Sequence, residues 1–132
     1  MPNQAIDQYM NEVELSFIYS PIISTYHIRE KKILAREGYI RIKAQLTNDD
    51  IFEAFEFVIM VEEAINIITY RLQWHKYNGA LMGRWDNAEH HKEVYTFPYH
   101  FHDGISGGVL SSEKMSIKKA LDVIEEEISR ES

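Results

Sequence analysis

The hydrophobic pattern of this chain changes period along its length, and each change predicts an element. Ile6, Tyr9, Met10, Val13 and Phe17 recur at spacings of three and four, which puts them on one helical face. Ser20-Pro21 ends that helix, because proline disfavours helical backbone in the residue before it. Residues 22–35 are rich in β-branched and aromatic side chains and read as a strand, and Glu37-Gly38 reads as a turn. In residues 39–46, Ile40, Ile42, Ala44 and Leu46 alternate with Arg41, Lys43 and Gln45, the pattern of a half-buried antiparallel strand. A turn at residues 47–50 leads to a strand over 52–60, apolar on both faces apart from Glu53 and Glu56, and Glu62-Glu63 breaks it. Residues 65–76 form a long strand, with Tyr70, Leu72 and Trp74 on one face and Arg71, Gln73 and His75 on the other. Asn78-Gly79 predicts a type I′ hairpin turn into a partner strand over 80–86. Ser116 is a candidate N-cap for a C-terminal helix. Its apolar stripe is Ile117, Ala120, Leu121, Ile124 and Ile128, and Glu125, Glu126, Glu127 and Arg130 form its wet face. The pattern predicts a single α+β domain over residues 1–132: an antiparallel β-sheet of about five strands flanked by an N-terminal and a C-terminal helix.

Composition narrows the function classes. A chain of 132 residues fits one domain that buries roughly two-thirds of its unfolded surface, so neither a disulfide nor a structural metal is needed for folding. The absence of cysteine excludes a disulfide scaffold, a cysteine-type zinc site and thiol catalysis. The first eleven residues carry no basic cluster and no continuous apolar run, and no window has eighteen consecutive apolar residues, so no signal peptide or spanning helix is expected and a cytoplasmic protein is the simple reading. The formal net charge of −7 excludes an overall basic, general nucleic-acid binder; contact with nucleic acid would need a local basic patch.

Candidate chemistry is concentrated late in the chain. Five of the six histidines lie between His75 and His102. Four of these stand in two strings: Arg84-Trp85-Asp86-Asn87-Ala88-Glu89-His90-His91, and Thr96-Phe97-Pro98-Tyr99-His100-Phe101-His102. Histidine titrates near cellular pH, so it can move protons, bind a metal or carry a switchable charge. On an extended backbone His100 and His102 point to one side, as do Arg84 and Asp86 on theirs. An arginine fork can hold a phosphate, and an imidazole beside it can exchange a proton with a ribose hydroxyl or a leaving oxygen, which suits metal-free RNA cleavage. Two other readings use the same residues. Arg84 and Asp86 form an ion pair while Asn87 starts a turn, the string being a structural corner of a binding module without chemistry. Alternatively, His-x-His with His90, His91, Asp86, Glu89 or Asp103 supplies metal ligands for a hydrolase. Most of the aromatics (Tyr70, Trp74, Trp85, Tyr95, Phe97 and Tyr99) read as core, although such rings can also stack on bases.

The same strings resemble the signature of the TumE-like family, toxins of type II toxin–antitoxin modules. The likeness extends to residues 20–26, the alternating strand from Tyr39, the stretch Tyr70-Arg71-Leu72-Gln73-Trp74 and the acidic C-terminal helix. Tyr99 and Phe101 stand where the family usually has a histidine and a lysine, and Lys92 where it often has proline. The resemblance implies an RNA-cleaving toxin, neutralised by a cognate antitoxin that carries a DNA-binding domain; that it needs no metal or cofactor is the expectation from the imidazoles and the arginine alone. A homodimer is compatible with this reading. On it, Arg84, Asp86, His100 and His102 are the catalytic candidates, and Trp85, Asn87, His90 and His91 the binding candidates.

Overall fold

The computed structural model describes residues 2–89 and 96–131. Helix α1 (Gln4–Tyr19) is followed by strands β1 (Ile23–Ile33), β2 (Glu37–Leu46), β3 (Ile51–Val61), β4 (Ala64–His75), β5 (Leu81–Asp86), β6 (His100–Asp103) and β7 (Val109–Ser111), and then helix α2 (Ile117–Arg130). The strands form one antiparallel sheet in sequence order, each paired with its neighbours along the chain. The α+β class and the flanking helices agree with the hydrophobic pattern. The strand number does not: the sheet has seven strands, not about five. The two additional strands are β6 and β7, four and three residues long, too short to show a hydrophobic period.

Helix α1 begins at Asn3, whose side chain accepts from the Ile6 N–H at 3.0 Å, and α2 begins at Ser116, which accepts from the Lys119 N–H at 3.2 Å. Both helices lay their apolar stripes on one face of the sheet, over Ile40, Ile42, Ala44 and Leu46 of β2, Phe52, Ala54 and Val58 of β3, and Tyr70, Leu72 and Trp74 of β4. Glu56 is the one charged side chain of β3 on this face. It is fully buried, accepts a hydrogen bond from the Tyr9 hydroxyl of α1, and takes the Ile117 N–H of α2 at 2.6 Å. A single carboxylate therefore ties both helices to the sheet and meets the positive end of the α2 dipole.

Two turns differ from the pattern-based reading. The β1–β2 connection lies at residues 34–36, and Glu37-Gly38 opens β2 instead of turning the chain. The loop at Asn78-Gly79 is not type I′, since only Gly79, at φ +93°, has positive φ. It is a three-residue loop closed by Lys76 N–H to Ala80 O and Gly79 N–H to Lys76 O, both 2.8 Å, with Asn78 accepting from the Ala80 N–H. Asn48-Asp49 closes the β2–β3 hairpin the same way, with Asp49 at φ +72°. In both loops the asparagine side chain replaces a backbone acceptor, so one left-handed residue suffices.

The register fixes what the helix-free face carries. One row across the strands reads Glu30, Arg41, Phe55, Arg71, Asp86, His100, and the next reads His27, Lys43, Glu53, Gln73, Arg84, His102. The two histidines of β6 thus lie at the end of a polar and basic surface that begins five strands away.

Candidate functional site

The site forms where β5 and β6 pair. Alternation along β5 sends Trp85 toward the helices and Arg84 and Asp86 toward the open face. Antiparallel pairing sets Asp86 opposite His100 and Arg84 opposite His102. Close approach of the two strands depends on Gly83, because a Cβ there would come within 2.5 Å of the Phe101 ring. That ring packs on Trp85 with centroids 4.8 Å apart.

Asp86 is the hub. Its Oδ2 lies 3.1 Å from Arg84 Nε and 3.4 Å from His102 Nε2; its Oδ1 lies 2.6 Å from His100 Nε2 and accepts from the Ala88 N–H at 3.2 Å. The His100 contact is close but not aligned as a hydrogen bond. The two imidazoles meet edge to face, with centroids 4.9 Å apart. Arg84, Asp86, His100 and His102 therefore converge on one point.

Exposure separates the two histidines. His100 is 1% exposed, whereas the His102 side chain is 17% and that of Arg84 25% exposed. His100 is pinned at its other nitrogen, Nδ1, which lies 2.9 Å from the Pro98 carbonyl. A carbonyl only accepts, so Nδ1 carries a proton, and the ring is held with Nε2 toward Asp86 Oδ1. Pro98 is delivered by a turn at Thr96-Phe97-Pro98-Tyr99, in which the Phe97–Pro98 peptide is cis and the Tyr99 N–H meets the Thr96 carbonyl at 3.0 Å. The Thr96 hydroxyl fastens this turn to the Tyr99 carbonyl and to the Ser112 N–H beyond β7.

The remaining candidates fall elsewhere. Trp85 is buried in the core on the helix side. Asn87 is occupied with backbone: its Oδ1 accepts from the Tyr70 N–H at 3.0 Å and its Nδ2 donates to the Ile68 carbonyl at 2.8 Å. The structural-corner reading thus describes Trp85 and Asn87, and its Arg84–Asp86 ion pair forms as well, with the two imidazoles added. His90 and His91 lie outside the described residues. Asp103 closes the β6–β7 loop by accepting from the Ile105 N–H at 3.0 Å, a bond that holds its carboxyl below the usual range, and it takes no part in the cluster. Tyr99 of the second string lines the same depression as Arg84 and Asp86, together with Arg71 and Lys114, which were not among the site candidates. Of these two, only Arg71 had a signal in the sequence, its place on the polar side of an alternating strand.

Among the described residues, Asp86, His100 and His102 are the group of three whose ligand-type atoms lie within 4.8 Å of one another. Arg84 stands on the same Asp86 oxygen as His102, so a cation there would meet a permanent positive charge. Among the described residues no helix is long and apolar enough to cross a membrane. Neither a curated protein nor a solved structure matches the chain. The family model described as Toxin TumE matches residues 12–132, which include every strand, the whole cluster and α2, so the chain belongs to the Toxin TumE family.

Proposed function

We propose that this toxin acts by cleaving RNA, with His102 and Arg84 as catalytic residues and Asp86 and His100 as positioning residues. The observation that carries the reading is the shared carboxylate: Asp86 fixes a part-exposed imidazole and a part-exposed guanidinium side by side, 3.4 and 3.1 Å from the same oxygen. His102 takes the proton of a ribose 2′-hydroxyl, whose oxygen attacks the adjacent phosphorus. The bond to the 5′-oxygen breaks, that oxygen takes a proton from solvent, and a cyclic phosphate remains. Among the described residues Arg84 is held through Nε, which leaves its terminal nitrogens to meet the charge that develops on phosphorus. Buried His100 acts through Asp86 and does not touch substrate.

The partner that fits a toxin is a cognate antitoxin, and we propose that it carries its own DNA-binding domain and covers the cluster in the inactive complex. A cytoplasmic location and a homodimer remain part of the proposal. The test is growth of a sensitive host on induction, with RNA cleavage by the purified protein in the presence of EDTA. The parent should arrest growth and cleave RNA with chelator present, and His102→Ala should do neither. RNA left intact by an arresting parent would refute the reaction.

The three-residue cluster also supports a second reading, a metal-dependent hydrolase with Asp86, His100 and His102 as ligands. It requires near-stoichiometric transition metal in the purified protein, lost with activity in His100→Ala. Cleavage that survives chelation rejects it.

A further inference from the structure

We infer that the helix-free face of the sheet is the track along which single-stranded RNA reaches the Asp86 cluster. This inference rests on the RNA-cleaving reading and adds where the strand lies and what holds it.

The chain as a whole is acidic, yet four of its six arginines, Arg29, Arg41, Arg71 and Arg84, line two depressions on this one face. Arg29 belongs to it by alternation from His27, and the register shift between Ile28 and Glu30 brings Glu30 opposite Arg41 as well. The depressions are continuous, since Arg41, Phe55 and Arg71 line both; the first, about 300 Å³, lies over β2 to β4 and the second runs to Arg84 and Asp86. The spacing follows from the sheet. Arg41, Phe55, Arg71 and Asp86 are successive cross-strand partners, so each step is one inter-strand distance of about 4.8 Å, and the row from Arg41 to His100 spans about 19 Å.

Charge alone would suit an acidic peptide equally well. The ring decides between the two. Phe55 sits between two arginines in the row, half-buried on the open side, with the Arg41 guanidinium 4.6 Å over its face and the Tyr39 ring 6.3 Å away. A cation–ring–cation order matches a ligand in which negative groups alternate with flat apolar ones, as phosphates alternate with bases. Besides Asp86, two carboxylates stand in these rows: Glu30 pairs with Arg41 at 3.4 Å and Glu53 with Lys43 at 3.7 Å. All four side chains are about half exposed, so these pairs are weak and can give way to phosphate. Among the described residues Arg71 has no carboxylate partner and reaches only Gln73 Oε1, at 3.5 Å. It stands directly opposite Asp86 and is the step that joins track to site.

The test is fluorescence anisotropy with a labelled, single-stranded 2′-O-methyl oligoribonucleotide of about 12 residues. Such a probe can bind but lacks the hydroxyl nucleophile, so binding is measured apart from cleavage. Arg41→Ala and Arg71→Ala should each weaken binding several-fold and lower the salt slope by about one. Arg71→Lys should keep most of that slope. Phe55→Ala should weaken binding roughly tenfold without changing the slope, and Phe55→Leu, which keeps the packing, should do the same. Variants that retain the parent's circular dichroism and bind the probe as the parent does would overturn the track. Unchanged probe binding with loss of antitoxin co-purification would also overturn it, and would assign the face to a protein partner. Cleavage of unmodified RNA separates this inference from the reaction. If Arg71→Ala and Phe55→Ala lose probe binding while the parent cuts no RNA, the track stands and the reaction fails. If the parent cuts RNA and neither variant slows it, the reaction stands and the track fails.

Discussion

Asn87 completes the pairing of β4 with its side chain: at the end of β5 its Oδ1 accepts the Tyr70 N–H at 3.0 Å, as a strand carbonyl would. The last backbone pair of these strands is Arg71 with Asp86, so Asn87 extends the ladder by one step while the chain turns away. Asn87→Ala should lower unfolding free energy by about 2 kcal/mol, because one part-buried donor and one acceptor lose their partners. Denaturant titration checks this. A loss of activity with no loss of stability would instead place Asn87 in contact with substrate.

The two histidines of β6 should separate in their effects. His102→Gln removes a part-exposed ring and should lower cleavage at least a hundredfold, with unfolding free energy changed by less than about 1 kcal/mol. His100→Gln removes a buried partner of Asp86 and should cost about 3 kcal/mol as well as activity. The split is read from paired stability and cleavage measurements. Equal destabilisation by both would contradict the assignment of His102 as the residue that meets substrate.

Gly83 and Phe101 should be coupled. Gly83→Ala drives a methyl group into the Phe101 ring and should destabilise the fold by about 1–3 kcal/mol. In a Phe101→Ala background the same change should cost much less, since its obstacle is gone. A double-mutant cycle with no coupling would show that the strain is relieved elsewhere.

Glu56 should impose a pH dependence on folding. Burial raises its carboxyl above the ordinary range, while the bonds from Tyr9 and Ile117 act in the opposite direction and lower it. At pH between the ordinary and the raised value, the folded state therefore holds a proton that the unfolded chain has released. That contribution is complete below the ordinary carboxylate pKa and is lost as pH rises through the raised folded value. The stability of the parent minus that of Glu56→Gln should fall with rising pH across this window, by at most about 1.4 kcal/mol per pH unit. A difference that is flat or rising would mean the carboxyl is not raised.

How much of this was legible in the sequence depended on the range of the interactions. Both helices, the Ser116 cap and five strands follow from local rules: period 3.6 against period 2, Ser20-Pro21 as a stop, and Ser116 at the start of α2. Alternation also gave the shared face of Arg84 with Asp86 and of His100 with His102. It could not give the loop geometry at Asn78-Gly79, where the side chain of Asn78 replaces a backbone acceptor and removes one of two positive φ angles.

Pairing between strands lies beyond local rules. Strand β6 has four residues, and thirteen residues separate it from β5, too few and too distant for periodicity to fix a register. Only the folded sheet decides that Asp86 faces His100, that Pro98 pins that ring, and that burial leaves His102 as the imidazole open to solvent. The same holds for the arginines. Arg41, Arg71 and Arg84 are scattered along an acidic chain, and it is the register of β2 to β5 that gathers them on one face. The sequence by itself determined the elements and the chemistry each can carry, because those depend on neighbours within a turn or a strand. The tertiary structure alone decided which side chains meet, because cross-strand contacts depend on backbone hydrogen bonds between segments that no local pattern connects.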